Sequence, residues 1–181
     1  QESEIYLIEE DWELVLNEPD AVNVSPQVTL FTSPSVNSED SYFQLQMNYA
    51  ADDVFSSGGF HVAAVQNGQI VDEARSATCN ILSHDGDTIR WTNVMAVLNN
   101  KVFYAITHGQ RQDWGDFGSP DYLVELHDND AHDLAEYHTN HSLESVDIGF
   151  GANRVESLTL IEVRAHYPDG RIATIPVNRQ P

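Results

Sequence analysis

The stretch TIRWTNVMAVLNNKVFYAITHGQRQDWGDFG, Thr88 to Gly118, decides the fold. Two long runs, rich in β-branched and aromatic residues, flank Asn99-Asn100. Asparagine tolerates the positive φ that two-residue hairpin turns require, so the runs read as paired antiparallel strands. After them the pattern lapses. Gln110 to Asp121 reads as a loop, and with the adjoining Tyr122 it gathers Arg111, Trp114, Asp116 and Phe117.

Outward from this hairpin the chain repeats the same grammar. Asp11 to Leu16 alternates, with Trp12, Leu14 and Leu16 on one face. Gln27 to Thr32 is a second strand ended by Pro34, and Tyr42 to Tyr49 a third, with Phe43, Leu45, Met47 and Tyr49 facing one way. Such alternation implies an antiparallel sheet with one face in a core. Asn67-Gly68 separates two more strands and is a strong hairpin signal. Strand patterns return at 121–127, 146–150 and 155–167, and Pro168-Asp169-Gly170 turns the chain into a last strand to Val177. Asp130 to His138 favours one short helix, with Asp130 as N-cap and Asp133 three residues on. About ten or eleven strands with no βαβ alternation predict an all-β antiparallel sandwich. One domain is expected over residues 1–181. Residues 1–10 form an acidic N-terminal segment in which Ile5, Leu7 and Ile8 could add an edge strand.

The composition narrows the function classes. The 181 residues are 41% hydrophobic, enough for a core. Asp and Glu number 29 against 8 Lys and Arg, a net charge of -21. That field repels phosphate backbones and anionic membranes, and it attracts cations. No nucleic acid is expected as a partner. No apolar run approaches the length of a membrane span, about 18 residues, so no insertion is expected. Cys79 is alone, so no intrachain disulfide forms, and burial as a small hydrophobe explains it. The chain starts at Gln1, which fits a mature secreted or periplasmic protein after signal cleavage, or a trimmed chain. The oligomeric state is not legible.

Four segments carry a resemblance: Gly58 to Val62, Thr88 to Thr92, Asp113 to Gly118 and Ile148 to Val155. Together they resemble an uncharacterised group of secreted bacterial β proteins and, in outline, the concanavalin A-like or laminin-G-like jelly roll. The resemblance implies a jelly-roll sandwich over roughly residues 12–177. It implies no activity. The Glu-x-Asp-x-x-Glu strand of glycoside hydrolases with that fold does not occur, and His61 lacks the Gln-Ile/Val-His context of the lyases, which lowers the enzyme reading.

Two stretches offer binding chemistry. In the 110–122 region, Trp114 and Phe117 could stack on a sugar ring while Arg111, Asp116 and Tyr122 bond its hydroxyls; packing of the two aromatics beneath the loop is the alternative. The second is metal-like: His127, Asp128, Asp130 and His132, with His138 and His141 beyond. Its oxygens suit Ca²⁺ and its imidazoles suit Zn²⁺, although a polar loop followed by a capped helix accounts for it too. Asp85-Gly86-Asp87 is a smaller Ca²⁺ candidate or simply a turn. The expectation is a secreted, non-catalytic module binding a polysaccharide or cell-surface glycan, with Ca²⁺ as a stabiliser. A polysaccharide-active enzyme and a cell-envelope structural component are the alternatives.

Overall fold

Strands with an apolar face must hide it, and the described residues do so in two antiparallel sheets stacked face to face. The computed structural model describes residues 4–17, 26–34, 41–47, 60–76, 88–99, 101–111, 115–117, 123–126, 134–150 and 154–181.

The strands are β1 (Leu7–Leu16), β2 (Gln27–Thr32), β3 (Ser41–Met47), β4 (Phe60–Gln66), β5 (Gln69–Ser76), β6 (Thr88–Leu98), β7 (Lys101–Arg111), β8 (Gly115–Phe117), β9 (Val124–Leu126), β10 (Asp147–Phe150), β11 (Val155–His166) and β12 (Ile172–Arg179), and α1 (Thr139–Glu144) precedes β10. The larger sheet runs β12-β11-β1-β6-β7-β8, with β9 also paired to β7. The smaller runs β10-β2-β3-β4-β5. The β6–β7 hairpin closes as its sequence predicts: Leu98 pairs with Lys101, and Asn99 has φ +54°. At Asn67-Gly68 both turn residues take positive φ, +52° and +78°, the geometry that matches the twist of the strands. Gly170, at φ +91°, carries the turn between β11 and β12, and its N–H donates to the Tyr167 carbonyl.

The core lies between the sheets. Trp12, Leu14 and Leu16 of β1 meet Leu30 of β2, Phe43 and Leu45 of β3, Trp91 of β6 and Tyr104 of β7 in one apolar cluster. Phe43 and Tyr104, from opposite sheets, stack with centroids 5.0 Å apart. At about 25 cal/mol per Å² of apolar area, rings of this size dominate the burial term. Trp91 points inward and pairs with Trp12 across β1 and β6.

Three expectations change. Among its described residues the acidic N-terminus supplies no edge strand. β1 begins at Leu7 and lies in the middle of the larger sheet, between β11 and β6. The helix begins at Thr139, so residues 134–138 of the expected span are not helical. Tertiary bonds hold that segment instead: the Leu134 N–H donates to Ile5, the Tyr137 N–H donates to Leu134, and His138 caps the helix by accepting the Asn140 N–H. Finally, the expected 110–121 loop contains β8, which folds back onto β7 with Arg111 opposite Gly115 and Gly109 opposite Phe117. Backbone groups at the sheet edge thereby find partners.

Candidate functional site

On β1 every second residue is buried, and that period places Glu10 inside, between Ile8 and Trp12. Its side chain is 1% exposed. A carboxyl group in an apolar core costs several kcal/mol unless its oxygens are satisfied. Here Oε1 accepts from Trp12 Nε1 (3.2 Å), Thr32 Oγ1 (3.3 Å) and Asn93 Nδ2 (3.4 Å). Oε2 accepts from Tyr137 OH (2.6 Å) and Ser142 Oγ (2.5 Å). Asn93 in turn accepts Trp91 Nε1 at 3.0 Å. Partners that donate from β1, β2, β6 and the α1 segment suit an acceptor-only carboxylate. Burial first, and then the Glu10 charge, push the phenols of Tyr104 and Tyr137 well above their ordinary 10.

This buried centre fixes α1. Tyr137 and Ser142 bracket the helix start, so Ser142 and Leu143 face inward while Glu144 stays exposed. The outer side of α1 then forms a wall of a pocket of about 400 Å³ lined by Phe31, Ser33, Tyr42, His141, Glu144 and Asp147, with Ser145 and Val146. Register explains the opposite wall. Phe31 pairs with Gln44 across β2 and β3, which leaves Tyr42 as its diagonal neighbour. The rings sit edge to face, centroids 5.6 Å apart. Ser33 Oγ donates to the Ser41 carbonyl at 2.9 Å and ties the two strand ends. The Nδ1 atom of His141 is buried and meets no hydrogen-bond partner among the described residues. The pocket thus joins an aromatic pair to two serines, an imidazole and two carboxyls.

A second concavity, about 510 Å³, crosses the outer face of the larger sheet and is lined by Asp11, Glu13, Arg90, Thr92, His108 and Ile161 among others. Two bulges flank it. Ile161 is the extra residue of β11 between the partners of Asp11 and Trp12, and His108 belongs to the β7 bulge opposite Trp91, with φ +51°. Its charges are already paired. Arg164 meets Asp11, Glu9 and Glu162; Arg90 meets Glu13 at 2.7 Å; Thr92 donates to Asp11 at 2.7 Å. Burial raises the Asp11 and Glu9 carboxyls, but bonds to Arg164, with Thr92 for Asp11 and His166 for Glu9, outweigh it and leave both below their ordinary values.

Of the residues singled out from the sequence for sugar binding, Trp114 and Tyr122 lie outside the described residues. Arg111, Asp116 and Phe117 are placed by their backbones in the β7–β8 hairpin. Of the metal-like cluster, His127, Asp128, Asp130 and His132 lie outside the described residues, as do Asp85 and Asp87. His138 is described, and its ring lies 5.6 Å from that of His141, the neighbour expected three residues on. Its Nδ1 is engaged in capping α1. Among the described residues no group of three or more His, Cys, Asp or Glu is arranged to hold a metal ion. No described helix is long and apolar enough to cross a membrane. Sequence reasoning missed Glu10, Phe31, Tyr42, Glu144 and Asp147. The signal for Glu10 was present, because Ile8 and Trp12 flank it at a spacing of two. The pocket residues had no local signal, since they meet only through strand register. Compared with protein-family models and with curated proteins, the chain matches none.

Proposed function

We propose that the chain is a secreted, non-catalytic module that binds a polysaccharide or cell-surface glycan in the α1 pocket. The observation that carries this reading is the pocket's lining: the Phe31–Tyr42 pair beside Ser33, His141, Glu144 and Asp147. A sugar presents a C–H face that packs on an aromatic ring and a rim of hydroxyls that need acceptors and donors, and this lining offers both. The strand and helix ends that supply it are braced by the Glu10 centre, so little ordering is required on binding. The groove on the larger sheet supports a catalytic reading less well. A glycosidase needs a carboxyl kept protonated near neutrality, and Arg164 drives Asp11 and Glu9 the other way.

A glycan array followed by NMR titration tests the proposal. At least one sugar is expected to shift the amides of Phe31, Tyr42 and Asp147, and Tyr42→Ala weakens that binding by about tenfold. Sugars that bind while leaving these amides unmoved, or an array with no binding at all, sink it.

A further inference from the structure

We infer that the sugar taken by the α1 pocket carries a primary ammonium group, as a glucosamine-type hexosamine does. This rests on the sugar-binding reading above and names its ligand class. Glu144 and Asp147 line the pocket, and among the described residues no lysine or arginine does. Both carboxyls are exposed at its edge, and neither has a cationic partner among the described residues. Elsewhere the fold treats its carboxyls differently. On the outer face of the larger sheet Arg164 and Arg90 neutralise Glu9, Asp11 and Glu13. Arg179 donates to Asn140 Oδ1 on α1 at 2.9 Å and makes no ion pair with Glu144 or Asp147 among the described residues. Among the described residues the pocket therefore sets two carboxyls without a cationic partner beside a pair of aromatic rings.

An ammonium group answers that arrangement twice, through the carboxyls and through the negative faces of the rings. His141 adds a buried Nδ1 atom that meets no partner among the described residues and can serve a neighbouring ligand N–H or hydroxyl. The chain's charge of -21 acts in the same direction at longer range. A uronic or sulfated sugar meets repulsion from both. An N-acetylated sugar has the same shape at the ring but no charge to offer.

The test compares four disaccharides by NMR titration of the full chain near pH 5.5: β-1,4-linked glucosamine, its N-acetylated form, cellobiose and a galacturonic acid dimer. Glucosamine and cellobiose units differ only at C2, so their ratio isolates the ammonium group. The glucosamine dimer is expected to bind at least about tenfold tighter than cellobiose and to shift the amides of Tyr42, His141 and Asp147. In the double variant Glu144→Gln, Asp147→Asn that advantage falls to about unity while cellobiose binding holds. Cellobiose or the N-acetylated dimer binding as tightly at the same amides overturns the ammonium inference and leaves the sugar-binding reading intact. An advantage that survives the double substitution overturns it too, because attraction to the acidic chain as a whole would then explain it. Four sugars that leave the pocket amides unmoved overturn the inference, and the reading falls with it only where the glycan array shows no binding either.

Discussion

Adjacent acidic residues on one strand meet opposite fates. Glu10 points into the sandwich, and neutral donors surround it: two hydroxyls on one oxygen, and an indole, an amide and a third hydroxyl on the other. Glu9 and Asp11, one residue either way, point outward and are held by the Arg164 guanidinium. Both solutions satisfy carboxyl oxygens, but they link different things. The outer pairs join strands β1 and β11, which the backbone ladder already joins. The inner one joins the larger sheet to β2 of the smaller sheet and to the α1 segment. The inner carboxyl is therefore the one that organises tertiary structure and, through α1, the pocket wall.

The comparison breaks hardest at Glu10. Glu10→Ala strands the hydroxyls of Tyr137 and Ser142 and the Asn93 amide without their acceptor, and about 3–5 kcal/mol of stability is lost. For a chain of this length that lowers Tm by roughly 10 °C in a calorimetric scan. Glu10→Gln keeps an acceptor oxygen and the volume, so its loss is about 1–2 kcal/mol. A Glu10→Ala protein with unchanged Tm would show that the buried centre does not hold the sheets and α1 together.

That centre was also the least legible part of the fold. The frame was readable because alternation, Asn67-Gly68 and Pro168-Asp169-Gly170 are local signals that the backbone obeys. Three consecutive acids at Glu9, Glu10 and Asp11 hide the period of β1, and only Ile8 and Trp12 on either side reveal that it runs through them. The helix was expected one segment early because Asp130 is the better cap by chemistry. Leu134 and Tyr137 are held instead by Ile5 and Glu10, residues more than 120 positions away in sequence. No short window contains that information. The pocket is hidden for the same reason, since Phe31, Tyr42 and His141 come from three elements and meet by register.

A smaller break is expected on the outer face. Arg164 is partly buried, its side chain 23% exposed, and three carboxyls converge on it. Arg164→Met is expected to cost about 2 kcal/mol at neutral pH, between the values for exposed and buried pairs. The pH dependence gives the sign. Glu9 and Asp11 titrate below their ordinary 4.5 and 3.8 in the folded chain. Their contribution is complete above those ordinary values and is lost as pH falls through the depressed ones. In Arg164→Met the main lowering cause is gone, while burial and the bonds to Thr92 and His166 remain, so the deficit against the parent is largest above about pH 5 and shrinks in acid. Urea unfolding at a series of pH values reads this directly. A deficit that is constant or grows in acid would remove Arg164 as the source of the lowered values.

The smallest effect separates a contact from a contribution. Arg90 and Glu13 lie 2.7 Å apart on the same outer face as Arg164, with equally good geometry on paper. Arg90, however, is 65% exposed, and it reaches a single carboxyl where Arg164 reaches three. Water and salt screen such a pair, and ordering a long side chain opposes it. A double-mutant cycle of Arg90→Ala and Glu13→Ala is expected to give a coupling of about 0.5 kcal/mol or less, falling further in 0.5 M salt. A coupling near that of Arg164 would mean that the groove they line excludes water more than its exposure suggests, and that burial alone does not rank the carboxyls of β1.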